Sequence, residues 1–232
     1  MKLKAAKKSV TEGDVLKLTA TVGQVKTAKR VTLERWEPNS IWSGGRWVSV
    51  KARKVKRRVV FKTTVTTENR ARYRVSVTYR KRSKPVVSKA ASVTVWRWIP
   101  LRGFTPYQSN VTFESHDALV NGRSRRVWGP FAYTGSAWES RYTPGRNCSA
   151  FRGAAGLKDS SGDGATGLVE FSAEGKVLWR SPVLVPGRLA PFKVALKPKP
   201  YRVALAAVDT SDTPGVRALP VVADPELYCT GI

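Results

Sequence analysis

Catalysis by a pair of carboxylates needs two acids held about 5–10 Å apart across a cleft. In this 232-residue chain candidate acidic pairs such as Glu114 with Asp117 and Asp209 with Asp212 sit close in sequence at turns with nothing to mark a cleft. His116 is the only histidine, and no motif places a serine or cysteine beside it. Gly-x-Ser-x-Gly and His-Glu-x-x-His patterns are absent, and the glycine-rich run GDGATG lacks the Lys-Ser/Thr ending of a phosphate loop. No catalytic residue is assigned, and the chain is not expected to be an enzyme. The acidic loop KDSSGDG offers Asp159 and Asp163, too few oxygens for the six to eight that calcium takes. A solvated turn is expected there, a structural calcium ion being the lesser reading, so no cofactor or metal is assigned.

Binding chemistry has more material. Trp128, Tyr133, Trp138 and Tyr142 fall in loop-like segments near Glu139, Arg141 and His116. Flat rings stack against the apolar face of a sugar, while carboxylate and guanidinium groups bond its hydroxyls. The expected carbohydrate site is therefore Trp128, Tyr133, Trp138, Glu139, Arg141 and Tyr142. The competing reading is core, because Trp and Tyr usually bury most of their area.

A second binding feature is charge. The chain carries a net +26, and residues 1–100 hold 26 Lys and Arg against 5 Asp and Glu, a net +21. Lys51, Arg53, Lys54, Lys56, Arg57, Arg58, Arg72, Arg74, Arg80 and Arg82 are concentrated on neighbouring strands, which predicts a broad positive sheet surface. Such a surface suits an anionic partner. An anionic cell-wall polymer or acidic glycan is expected ahead of nucleic acid, because no recognition helix or base-stacking motif accompanies the charge. A charged surface with no partner is the plain alternative, although +21 on about 100 residues exceeds what solubility needs.

The elements that must position these groups read as strands. In VLKLTATV, Leu16, Leu18, Ala20 and Val22 share one face; in RYRVSVTYR, Tyr73, Val75, Val77 and Tyr79 oppose Arg72, Arg74 and Arg80. VTLERW, a loop at 37–45, RWVSVKARKV, RVVFKTTV and SVTVW complete about seven strands at roughly ten-residue spacing, the pattern of an antiparallel sandwich. The aromatic stretch 96–110, broken by Pro100 and Pro106 and carrying Trp96, Trp98, Phe104 and Tyr107, is expected to pack its rings between two domains, a sugar-stacking platform being the lesser reading. Beyond it, turn signals at Asn121-Gly122, Gly129-Pro130, Pro144-Gly145 and Glu174-Gly175 separate further alternating strands. Two cysteines, Cys148 and Cys229, bracket the strongest of these strands and predict one disulfide. The fold class is all-β: a basic sandwich at 1–96, a linker at 97–110 and a second sandwich at 111–232. No run of 18 apolar residues is present, so no membrane span is expected. MKLKAAKKSV has no apolar signal region, so any export signal is expected upstream of Met1.

On EGDVLKLTATV, VTLERW, the Trp47 strand and ARYRVSV, the first half resembles bacterial immunoglobulin-like domains, which implies a spacer or adhesion module. The second half resembles the NPCBM family, a galactose-binding-like jelly roll. The matching residues are Cys148, Phe151, Gly156-Leu157-Lys158-Asp159, Val169, Phe171, Gly175, Trp179 and Ser181, then Ala223-Asp224-Pro225-Glu226-Leu227-Tyr228-Cys229. Two departures bear on the family's sugar site: Gly135-Ser136-Ala137-Trp138 replaces Gly-x-His-Ala, and Val222 stands where the last strand carries tryptophan. The resemblance implies a secreted or cell-surface module that binds glycan and attaches or spaces a larger protein, or a surface-assembly subunit with a degenerate sugar site. Nucleic-acid binding by the basic half is the third reading.

Overall fold

The computed structural model describes residues 1–38, 44–66 and 69–231. Residues 39–43 of the loop expected at 37–45 lie outside the described residues. The chain is almost wholly β-structure and divides into two units, Met1–Arg97 and Trp98–Ile232.

In the first unit the strands are β1 (Lys2–Ala5), β2 (Ser9–Thr11), β3 (Val15–Thr21), β4 (Ala28–Pro38), β5 (Gly45–Arg53), β6 (Arg58–Thr64), β7 (Arg70–Tyr79), β8 (Val86–Val87) and β9 (Ala91–Pro100), the last running past the unit's end. One sheet has the order β1-β3-β6 and the other β9-β7-β4-β5, all antiparallel, with β2 added parallel to β9 and β8 added antiparallel to β7. Period-two alternation determines what faces inward. Leu16, Leu18 and Ala20 of β3 and Phe61 of β6 meet Val31 and Leu33 of β4, Tyr73, Val75 and Val77 of β7, and Val93 and Val95 of β9 in one core. This is a β-sandwich. The alternation in VLKLTATV and RYRVSVTYR thus reads through to burial, whereas β1 and β2, short and lysine-flanked, escape periodicity.

In the second unit follow β10 (Gln108–Ser109), β11 (His116–Val120), β12 (Arg123–Trp128), β13 (Ala137–Tyr142), β14 (Cys148–Leu157), β15 (Gly167–Ala173), β16 (Lys176–Arg180), β17 (Leu189–Ala195), β18 (Val203–Asp209) and β19 (Pro220–Cys229). One antiparallel sheet is ordered β10-β13-β18-β15-β16 and the other β11-β12-β19-β14-β17. Trp128, Phe151, Leu157, Val222 and Leu227 from the second sheet pack against Trp138, Tyr142, Val169, Phe171, Val203 and Leu205 from the first. The Phe151 and Phe171 rings stack at 4.3 Å between centroids. Glu174 and Gly175, at φ 49° and 77°, turn β15 into β16; the tight hairpin turn needs positive φ at both positions, which glycine adopts without strain.

Residues 98–110, read above as a linker, lie within this unit. Ile99, Leu101 and Phe104 are in its core, and the Trp98 ring meets Tyr228 at 5.0 Å under the Arg152 guanidinium. Cys148 and Cys229 are bonded, and they are register partners on the adjacent strands β14 and β19.

Candidate functional site

The segment Ala137-Trp138-Glu139-Ser140-Arg141-Tyr142 forms β13, and its alternation sorts the expected site residues onto opposite faces. Trp138, Ser140 and Tyr142 are buried, while Glu139 and Arg141 point away from the core. Outside, the register sets Glu139 beside Ala206 of β18, and Ala206 beside Glu170 of β15. One row along, Arg141, Ala204 and Ser172 align; on the other side, Ala137, Val208 and Leu168 do. Because β18 carries alanines at 204 and 206 between longer neighbours, the sheet surface sinks into a trough along that strand.

Two continuous concavities of about 390 and 510 Å³ make up the trough, sharing Glu139, Glu170 and Ala206. Asn110 and Leu168 line one end; Tyr107, Glu174 and Arg202 line the other. Glu139 receives a two-point bond from Arg141, at 2.9 and 3.1 Å, and Glu170 is paired with Arg180. Tyr107 leaves 48% of its surface exposed, and the Arg202 guanidinium lies 5.2 Å from its ring. The Tyr107 backbone N–H donates to the Arg141 carbonyl, fixing the ring at the trough's end. Carboxylates and guanidinium groups on both walls, a shallow small-residue floor and one accessible ring form a hydrogen-bonding channel with a stacking surface.

None of the expected site rings offers the trough a stacking face, although Trp138 borders it from below. Trp128, Trp138 and Tyr142 are only 1%, 3% and 2% exposed, so no sugar face can stack on them. They are core because each sits at an inward-facing strand position. Trp128 Nε1 donates to Ser140 Oγ at 2.9 Å, and Ser140 Oγ donates to Glu114 Oε1 at 3.2 Å, so a buried polar chain anchors the ring. Tyr133 is half-buried, edge-on to Trp138 and 4.8 Å from the Arg217 guanidinium. The trough residues that sequence reasoning missed are Glu170, Glu174, Arg202 and the alanines of β18, while Tyr107 belongs to the aromatic stretch for which sugar stacking is the lesser reading. Alternation in YRVALAAV already marks Ala204 and Ala206 as outward, but not which strands flank them.

A separate cleft of about 440 Å³ lies among Leu101, Phe104, Tyr142, Pro225 and the acids Glu114, Asp224 and Glu226. Its acids are already engaged: Asp224 with Arg125, Glu226 with Arg152, and Glu114 with Ser140. Asp159, considered for calcium, accepts the backbone N–H groups of Asn121 and Gly122 at 2.7 and 2.8 Å and thereby ties down that turn.

The basic residues of the first unit do not share one face. Lys51 and Arg53 (β5) and Arg72 and Arg74 (β7) flank β4 in one sheet, whereas Arg58 begins β6 in the other. Lys54, Lys56 and Arg57 lie between β5 and β6, and Arg80 and Arg82 in the turn after β7. Arg72 rests over Trp36 at 5.3 Å, and Arg74 over Trp47 at 4.4 Å while bonding Glu34 at 2.6 Å. Strand order, invisible in sequence, separates residues that are neighbours along the chain.

One buried cation gives a pH signature. Lys158 is 5% exposed, donates from Nζ to the Phe131 carbonyl at 2.9 Å, and has its pKa lowered by burial from 10.5 to about 8. Between pH 8 and 10.5 the unfolded chain still holds a proton that the folded chain has released, so this group adds stability as pH rises through that window. The melting temperature of the protein relative to its Lys158→Met variant is therefore expected to climb from pH 8 to pH 10 in scanning calorimetry. A flat difference contradicts the assignment.

No protein-family model matches the chain, and no curated protein sequence matches it. Among solved structures it is similar to a CBM51 module from Clostridium perfringens GH95 in complex with methyl-galactose, at 13% identity and TM-score 0.43, over 56% of this chain and 99% of that one. It is similar to the M60 catalytic domain with two CBM51 domains from Clostridium perfringens ZmpB, at 12% identity and TM-score 0.46, over 99% of this chain and 31% of that one. A third is the tandem CBM51 modules of a family 98 glycoside hydrolase from Streptococcus pneumoniae, at 11% identity and TM-score 0.44, over 98% of this chain and 83% of that one.

Proposed function

We propose that this chain is a non-catalytic carbohydrate-binding module whose second unit holds a glycan in the trough along β18. The observation that carries the reading is the row Glu139–Ala206–Glu170, two carboxylates facing each other across an alanine floor with arginines beside both. A saccharide offers many hydroxyls and one apolar face. The trough supplies acceptors and donors for the first and the Tyr107 ring for the second. Both carboxylates are already engaged by arginines, which suits a fixed hydrogen-bonding array more than an acid–base pair.

The Cys148–Cys229 bond supports an oxidising, extracellular or cell-surface setting. In the first unit, the sheets β1-β3-β6 and β9-β7-β4-β5 support the immunoglobulin-like reading, and with it a spacer that presents the binding unit or attaches a larger secreted assembly.

The test is isothermal titration of the full chain with ligands selected on a glycan array, alongside two variants. Ala206→Trp fills the trough without touching the core, because residue 206 faces outward. Glu139→Ala with Glu170→Ala removes both wall acceptors. Each is expected to weaken binding at least tenfold, the first by occupying the trough and the second at the usual value of about 1.5–3 kcal/mol per charged hydrogen bond, with melting temperature unchanged within a few degrees. Glycan binding unaltered by Ala206→Trp, or no glycan bound by the wild type, would remove the proposal; the latter with intact folding favours a scaffold in a surface assembly.

A further inference from the structure

The outer face of the β1-β3-β6 sheet carries a second concavity, in a different unit from the trough. A groove of about 570 Å³ is lined by Lys2, Lys4, Lys17 and Arg58, with Ala5, Ala6, Thr19 and Thr21 forming its low parts. None of these lining residues is acidic. The register puts Lys2, Thr21 and Arg58 in one row, Lys4, Thr19 and Val60 in the next, and Lys17 directly opposite Lys62 in the third. All five cations are exposed. Asp14, which precedes β3, spends its carboxylate on the backbone N–H of Thr11.

Like charges at directly opposed strand positions destabilise a sheet, so the Lys17–Lys62 pair works against the fold. A threonine or glutamate at either position would relieve it. Rows two residues apart repeat about every 6.7 Å, so the face offers regularly spaced positive charge over three rows. A ligand that supplies the missing negative charge would turn this repulsion into affinity. Nothing in the groove is aromatic, so an unpaired nucleic-acid strand would find phosphate contacts but no base stacking, the term that usually accompanies such binding. The threonine hydroxyls and small floor suit a chain of sugar rings instead.

We infer that the groove on β1, β3 and β6 binds an anionic polysaccharide through Lys2, Lys4, Lys17, Arg58 and Lys62. This deepens the carbohydrate-binding reading with a second, charged substrate class, and rests on the first unit where the trough rests on the second.

The probe is a short heparin fragment, titrated onto the full chain from 50 to 200 mM salt, with neutral dextran and single-stranded DNA of similar length as comparisons. Log affinity is expected to fall against log salt with a slope of about 3.5–4.5 for the five cations, at roughly 0.7–0.9 per contact. Lys17→Glu converts the opposed pair to an attractive one, so it is expected to raise the first unit's melting temperature while lowering heparin affinity at least tenfold. The charge-matched control Arg80→Glu, in the turn after β7, is expected to lower affinity less than threefold. Equal losses in the two variants would reduce the effect to net charge and overturn the inference, as would DNA binding tighter than heparin with the same dependence on Lys17. Trough ligands titrated onto Lys17→Glu are expected to bind unchanged; failure of the trough alone leaves the heparin result to decide this groove.

Discussion

Replacing Cys148 and Cys229 by serine is expected to lower the stability of the second unit by about 4.5 kcal/mol, the chain-entropy value for a loop of 81 residues. The bond joins register partners on adjacent strands, and β14 is the strand that links β19 to β17. Opening it removes the covalent tie between β14 and β19 and leaves only their antiparallel ladder to hold them together. The first unit contains no cysteine, so calorimetry in reductant is expected to shift the second unit's transition and leave the first unit's in place. Two titratable thiols in the untreated native protein, or a shift of both transitions together, would contradict this.

Trp128→Ala is expected to cost the second unit about 3–5 kcal/mol, the usual range for emptying a large aromatic site in a core. The ring is 1% exposed and packs where the two sheets meet, so the surrounding strands cannot close on the space. The substitution also takes away the Nε1 donor to Ser140, leaving the Ser140–Glu114 end of a buried polar chain with one partner fewer. Urea denaturation measures the change. A loss below about 1 kcal/mol, with glycan affinity lost in the folded variant, would return Trp128 to the role of a stacking surface.

Much of the fold was legible because its strands bury one face and expose the other. VLKLTATV and RYRVSVTYR declare their inward residues by alternation, and Glu174-Gly175 declares a hairpin by its tolerance of positive φ. The site was half legible for the same reason applied too loosely. Within AWESRY, period two already separates Trp138 and Tyr142 from Glu139 and Arg141, so no single surface can use all four. Reading the segment as a loop hid that division. The far wall was out of reach: Glu170 joins Glu139 only because β18 lies between β13 and β15, a pairing of residues some 30–70 positions apart that no local pattern encodes. Lys17 and Lys62 are a parallel case, ordinary surface lysines until strand pairing sets them face to face.

The central claim is that glycan lies along β18. Its most direct test is a titration of isotopically labelled protein, with an array-selected glycan, followed by amide chemical shifts. The expected result is a contiguous set of perturbed amides at 137–141, 168–172 and 204–208, joined by Tyr107 and Arg202. Perturbations gathered instead around Phe104, Glu114 and Glu226, or confined to the first unit, would contradict it.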